Sequence, residues 1–454
     1  MKYVMRIALL FFCVLVVVSF PMLGTQGRGQ ASTYMTLLKV IEVGGSPSAI
    51  LVDSSNGSKD AIFYGSGKVR FIDGDTLELA PEELIAATSQ WEGWMAYDRT
   101  HGYAYAVTTR RVWESSIQSW VELRVTVINN REIIGGFSVN ESYNSDPANL
   151  LDLRVDVEGL EIKQAKSEGN NPTRLIVDGN YSGLLHVVDL KPDGVGVECI
   201  QRVNYRPTLT GSYRQDNPGN SLALETKHET LGVDDLANDD LLYIADLNDD
   251  ENGADDGYIS AVRITHPLEE LQLTALSDVD LTGNWPFSSL GLKGIMMAGQ
   301  RDILYVSSAQ QSFDDGYVGE VNTTNNQVAQ VVTLSYSDQG NVHVDWYDPK
   351  MVFVPTFDGF YNDPDQGLYL NLLYNGVEID RLLLEKNHDE YERVSGMDYD
   401  PYNKRLYLTV GSKVMVVGVN FGATVPPTAT PMPTATTKPP EDYMNITYFP
   451  LIAR

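Results

Sequence analysis

Short runs in which apolar and polar residues alternate with a period of two recur along this chain. They are rich in Val, Ile, Tyr and Leu and bounded by Gly, Asp, Asn and Pro. Such alternation predicts half-buried β-strands joined by tight turns. The runs fall into a repeated unit. A short apolar strand ends in an Asp-containing turn, a Leu-Tyr-Val type strand follows, then a polar or Gly-rich hairpin, then a second apolar strand. The clearest copies are MDYDPYNKRLYLTVGSKVMVVGV from Met397, VDWYDPKMVFVPTF from Val344 and MAYDRTHGYAYAVT from Met95, which put Tyr399-Asp400, Tyr347-Asp348 and Tyr97-Asp98 in one slot. Weaker copies begin at Ala61, Thr173, Leu241 and Ile303, which makes seven. Segments such as VAQVVTL from Val328 and EIDRLLL from Glu378 supply a further strand after each hairpin.

Four short strands recurring at roughly 40 to 60 residues predict an all-β chain built as a β-propeller, here with seven four-stranded antiparallel blades. The last copy stops after its third strand, Lys413 to Val419, while an unassigned strand, Leu37 to Val43, precedes the first copy. The N-terminal strand is therefore expected as the outermost strand of the last blade, closing the ring and removing an exposed edge. The competing reading is the first strand of an open solenoid or sandwich. The Tyr-Asp-Pro, Leu-Tyr-Val and Val-x-Val-Val elements, spread over Thr33 to about Asn420, resemble YVTN-type seven-bladed propellers, within the broader class of quinoprotein-like and lactonase-like propellers. The resemblance implies a fold and leaves activity to be argued from the site.

Composition narrows the setting. The chain has 454 residues and a formal charge of −28, from 61 acidic against 33 basic side chains. A field of that sign repels phosphate backbones and anionic headgroups, which argues against nucleic acid and membrane-surface partners. Lys2 and Arg6, the apolar run from Ile7 to Phe20 and the small residues before Ser32 predict a secretory signal peptide over residues 1–31. The apolar run is shorter than the ~20 residues of a membrane span, so no span is expected in the mature chain. Removing the signal removes Cys13 and leaves Cys199, too few cysteines for an internal disulfide, so stability must come from a large core. Cys199, in the apolar segment VECIQ, reads as a buried small hydrophobe.

Residues 32–421 read as the propeller domain. A Thr/Pro-rich linker follows over residues 422–442, an extended spacer that forms no core. Residues 443–454, YMNITYFPLIAR, read as a sorting or attachment tail; the bland alternative is a frayed terminus. The expected location is secreted or attached to a cell surface. Sequons at Asn56, Asn140, Asn180, Asn322 and Asn445 would be glycan acceptors in a secreted eukaryotic protein and chance matches in polar turns in a bacterial one; the Thr/Pro stalk and its tail resemble the C-termini of exported bacterial proteins, which favours the second reading.

The most conspicuous candidate chemistry is DLNDDENGADDGY, Asp246 to Tyr258, the hairpin between the second and third strands of the fourth blade. Asn248, Asp250 and Asn252 alternate before Gly253, and Asp256 follows three residues later. Calcium takes six to eight oxygens at about 2.3–2.6 Å, and alternate side chains on a glycine-turned loop can converge on one ion. The spacing resembles the calcium loops of integrin-type blades, except that Asn248 replaces the usual first Asp and Ile259 stands where a closing Glu would sit. An alternative frame adds Asp246. The other reading is a solvated acidic turn. Further acidic hairpins place Asp178, Asp314, Asp315, Asp358, Asp363 and Asp365 on the same predicted loop face, either a binding face or simply polar loops meeting water. Catalytic signals are thin. The histidines at 101, 186, 228, 266, 343 and 388 show no metal spacing, and there is no GxSxG elbow, phosphate loop or CxxC pair.

The expectation is an exported, monomeric, non-enzymatic module for a protein, glycan or small-molecule ligand, with calcium as candidate cofactor. The alternatives are a metal-dependent hydrolase or lactonase-like enzyme and a structural surface-display protein.

Overall fold

The computed structural model describes residues 32–53, 59–85, 93–98, 101–113, 119–141, 157–163, 174–179, 184–204, 221–226, 240–249, 255–264, 273–275, 279–280, 292–297, 303–308, 316–334, 337–338, 342–345, 348, 350–358, 367–388 and 394–421. Every element among them is a β-strand. No helix of the described residues is long and apolar enough to cross a membrane.

The strands form seven antiparallel sheets of four or five strands among the described residues. In chain order they occupy residues 47–85, 93–141, 157–204, 221–280, 292–333, 337–386 and 394–419, each mostly a simple meander. The seventh supplies only three strands from its own stretch. Its fourth is the N-terminal strand Met35–Glu42, which pairs antiparallel with Lys413–Val419 so that Met35 lies opposite Val419 and Glu42 opposite Lys413.

The first strands of successive sheets lie beside one another. Pro47–Val52 packs against Gly93–Asp98, that against Val157–Lys163, then Ser221–Thr226, Leu292–Met297 and His343–Val344 in turn. Pro47–Val52 also packs against Val394–Asp400 of the seventh sheet, and Met35–Glu42 against Val377–Lys386 of the sixth.

The core lies between neighbouring sheets. Ile50, Ala61 and Phe63 of the first sheet meet Ile41, Tyr407, Val414 and Val416 of the seventh, while Tyr64, Val69 and Phe71 meet Met95, Tyr97 and Ala106 of the second. A middle strand is therefore covered on both faces. Ala61–Gly65 and Met351–Asp358 are buried at every position, so strict alternation fails there. Outer strands are more open: Leu79–Ile85 exposes most of its length. The tyrosines of the Leu-Tyr-Val slot, Tyr105, Tyr243, Tyr305 and Tyr407, are among the largest fully buried side chains.

Local chemistry sets the turns. Ser66-Gly67, Asn130-Arg131 and Asn375-Gly376 all have positive φ, the two-residue geometry whose twist matches antiparallel strands. Pro355 sits in the second strand of the sixth sheet and has no N–H to donate. The first strand of that sheet is split opposite it, with Ser337–Asp338 pairing to Phe357 and Thr356, and His343–Val344 pairing to Phe353 and Val352.

Two expectations need correction. Asp348 does not share the slot of Asp98 and Asp400, and Tyr347 lies outside the described residues. Asp98 pairs with Tyr103 and Asp400 with Arg405, each the first residue of the next strand, but in the sixth sheet the residue bonded to that position, Met351, is Asp345. Asp345 is buried like Asp98 and Asp400, whereas Asp348 is half-buried. Cys199 is half-buried rather than buried, because Val197–Asn204 is the outermost strand of its sheet.

Candidate functional site

A meander has two ends. One carries the first-to-second and third-to-fourth turns, here termed the brace end; the other carries the second-to-third hairpins, here termed the hairpin end. The acidic segment of the fourth sheet lies at the hairpin end, between Asp240–Asp249 and Asp255–Ile264. The ladder runs further than the sequence pattern implies. Asp246 pairs with Tyr258, Leu247 with Gly257, Asn248 with Asp256 and Asp249 with Asp255. Directly opposed residues in an antiparallel ladder have Cβ atoms about 4.5–5.5 Å apart, so this register brings Asn248 and Asp256 together across the hairpin. Asp250 and Asn252 lie outside the described residues, as do Asp314, Asp315, Asp363 and Asp365.

Of the remaining predicted face, Asp178 stands one residue before the end of Arg174–Gly179, opposite Leu185. Asp358 ends Met351–Asp358, opposite Gly367. Both are thus at the hairpin ends of their sheets. Asp358 is only 8% exposed, because the strand carries it into the ladder, where a Cβ on Gly367 would come within 2.7 Å of Leu383. It sits at the base of its hairpin rather than on the rim. Among the described residues, no three of His, Cys, Asp and Glu gather closely enough to hold a metal ion.

The brace end holds polar groups that spacing alone does not reveal. Asp53, Asp98, Asp345 and Asp400 are all buried there. Each works inside its own turn or across to the next sheet. Asp400 Oδ1 accepts the N–H groups of Tyr402 and Asn403 at 2.9 and 3.1 Å. Asp53 Oδ1 accepts the Tyr97 hydroxyl of the second sheet at 2.5 Å. The corresponding Tyr399 has its phenol pushed well above its ordinary range, first by burial and then by Asp345, Asp400 and Asp348. Tyr97 and Tyr399 thus face the preceding sheet, while Asp98 and Asp400 shape their own turns.

Further braces follow the same rule. His101 Nδ1 lies 2.6 Å from Asp98 Oδ2 and its Nε2 lies 2.9 Å from the Pro192 carbonyl of the third sheet. Both neighbours only accept, so both ring nitrogens donate when the ring is an imidazolium. The hydrogen bond to Asp98 is the main force raising the His101 pKa, opposed by burial and aided by the Asp98 charge, the Pro192 carbonyl and Asp193. Arg131 of the second sheet binds Asp60 of the first through Nε at 2.6 Å and through Nη2 at 2.9 Å. In the third sheet the cross-strand pair Arg174 and Asp189 forms two bonds at 2.7 and 3.0 Å, with the Arg174 side chain fully buried.

One pair sits on the first strands themselves. Asp398 Oδ2 accepts the Val52 N–H at 2.7 Å, and its Oδ1 lies 3.6 Å from His343 Nε2. Three sheets meet there. Sequence reasoning missed this pair because its members lie on strands remote in the chain. No protein-family model matches this chain, and no curated protein matches it.

Proposed function

We propose that the chain is an exported seven-bladed β-propeller that binds a ligand or another surface component through its hairpin end, with calcium holding the Asp246 to Tyr258 hairpin. The seven sheets are read as blades, and the pairing of Met35–Glu42 with Lys413–Val419, together with the packing of Pro47–Val52 on Val394–Asp400, supports ring closure. A closed ring sets the hairpin ends side by side on one face.

The single observation that carries the binding reading is the polarity of the sheets. The brace end is cross-linked internally through Asp53, Asp60, Asp98 and His101, so its polar groups are committed to structure. The opposite end presents the long fourth-sheet hairpin, in which Asn248 faces Asp256 and Asp249 faces Asp255. Residues alternate between the two faces of a strand, so Asn248, Asp256 and the alternative ligand Asp246 share one face, from which calcium would draw its oxygens, while the like-charged pair Asp249 and Asp255 lies on the other. The described chain leaves the last sheet at Val419, Asn420 and Phe421, on the brace end.

Calcium titration by calorimetry tests the site, with Asp250→Ala and Asp256→Ala as controls. The expected outcome is binding that either substitution weakens by at least about tenfold, one ligand's worth of a multidentate site. No heat, or heat unchanged by both substitutions, would refute calcium at this hairpin.

A further inference from the structure

The N-terminal residues of the described chain close over one carboxylate. Asp380, on Val377–Lys386 of the sixth sheet, accepts Ser32 Oγ at 2.6 Å, the Tyr34 N–H at 2.6 Å and the Met35 N–H at 3.0 Å through Oδ2. Its Oδ1 accepts the Thr33 N–H at 3.1 Å and the Arg381 N–H at 3.0 Å. Three successive backbone N–H groups aimed at one anion form a concave nest. The five donors themselves, one hydroxyl and four backbone N–H groups, are uncharged, so the half-buried carboxylate is hydrogen-bonded without a cationic donor among them.

The surroundings make this a junction. The Asn420 N–H donates to the Tyr34 carbonyl at 2.7 Å. Phe421 packs edge-on against Tyr34 and Tyr374, with ring centroids 4.8 and 4.9 Å away. The start of the N-terminal strand, the end of the last strand and the sixth sheet are thereby tied together. Met35, the last member of the nest, is 2% exposed in the core between the sixth and seventh sheets.

We propose that Asp380 is a docking site for a newly made amino terminus: cleavage between Ala31 and Ser32 supplies the cation that its nest lacks. The proposal rests on the export reading for the origin of the cut, and on the geometry for its consequence. An endopeptidase adds water across the Ala31–Ser32 amide, leaving a carboxylate on Ala31 and an α-amine on Ser32 that takes up a proton. Only Cα and Cβ separate that nitrogen from the Oγ already bonded to Asp380. The resulting ammonium joins a nest that is otherwise built, adding a bond between two formal charges to hydrogen bonds from uncharged donors. Processing then strengthens the junction at which the N-terminal strand enters the seventh sheet.

The test compares residues 32–454 starting with a free Ser32 amine against the same chain acetylated at Ser32 and against a chain keeping residues 26–31. Each is measured with Asp380 and with Asp380→Asn. With Asp380 intact, the free-amine chain is expected to unfold about tenfold more slowly than either blocked form, as for one charge-assisted bond. The gap should close as pH rises through the α-amino pKa, whose unreacted value is about 7.7–8.0. Asp380→Asn should abolish it. Equal unfolding rates for free and blocked chains, or a gap that survives Asp380→Asn, overturns the proposal, and the acetylation arm decides even if that variant fails to fold. Chain recovered outside producing cells with a first residue other than Ser32 also overturns it. Chain retained uncut inside the cell sinks the export reading and, with it, the natural origin of the amine, while the measured Ser32–Asp380 coupling still reports on the docking geometry.

Discussion

The brace end of the sheets and the hairpin end of the fourth sheet treat the same residue type in opposite ways. At the brace end, aspartates are buried and saturated: Asp98 has an entirely covered side chain against His101, and Asp400 holds its turn through Tyr402 and Asn403. At the hairpin end of the fourth sheet Asp249 instead lies across from Asp255, while Asp358 at the hairpin end of the sixth sheet is buried like the brace aspartates. The difference teaches that acidic content alone does not mark a site in this chain. A carboxylate that meets donors from its own turn or from the next sheet contributes to stability, whereas like charges directly opposed in a ladder destabilise it.

That contrast can be broken most severely at Arg174. Replacing it with Ala leaves Asp189 buried without its partner, and urea unfolding should register a loss of about 3–5 kcal/mol. A smaller loss follows at the seam between the first and second sheets. Tyr97→Phe removes the hydroxyl that Asp53 accepts, and equilibrium unfolding should report about 1.5–3 kcal/mol, the range for hydrogen bonds to charged groups. If this change were neutral, the Tyr-Asp pairs would be turn formers only, with no role between sheets.

The smallest effect is a pH dependence. Because the Asp98 contact raises the folded pKa of His101 above its unfolded value, its contribution is fully present below the unfolded pKa of about 6.5. It is lost as pH rises through the folded pKa. Stability measured from about pH 5 to about pH 9 should therefore fall in that window for the native chain and lose that component in His101→Gln. A profile unchanged by the substitution would remove His101 from the brace.

The strands were legible to different depths. The pattern Lys413 to Val419 followed by no fourth strand, set against an early orphan strand, was enough to pair the two ends of the domain. Turn chemistry was equally readable, since Asn375-Gly376 announces its own positive φ. The slot assigned to Asp348 was misplaced because Tyr-Asp-Pro looks alike wherever it falls, while only the ladder reveals that Asp345 holds the equivalent position. Cys199 was misjudged for a related reason: VECIQ is apolar enough for a core, but an outermost strand has only one covered face.

Local interactions explain what the sequence determined by itself: strand and turn propensities act over a few residues, so the all-β antiparallel strands, their hairpins and the N-terminal strand could be read from the chain alone. Only the tertiary structure decided which polar groups would meet. Asp398 with His343 and Val52, Tyr97 with Asp53, and Asp380 with Ser32 to Met35 all join residues distant in sequence. Their pairing depends on which sheet packs beside which, and a hydrogen bond tolerates errors of only a few tenths of an ångström in that placement.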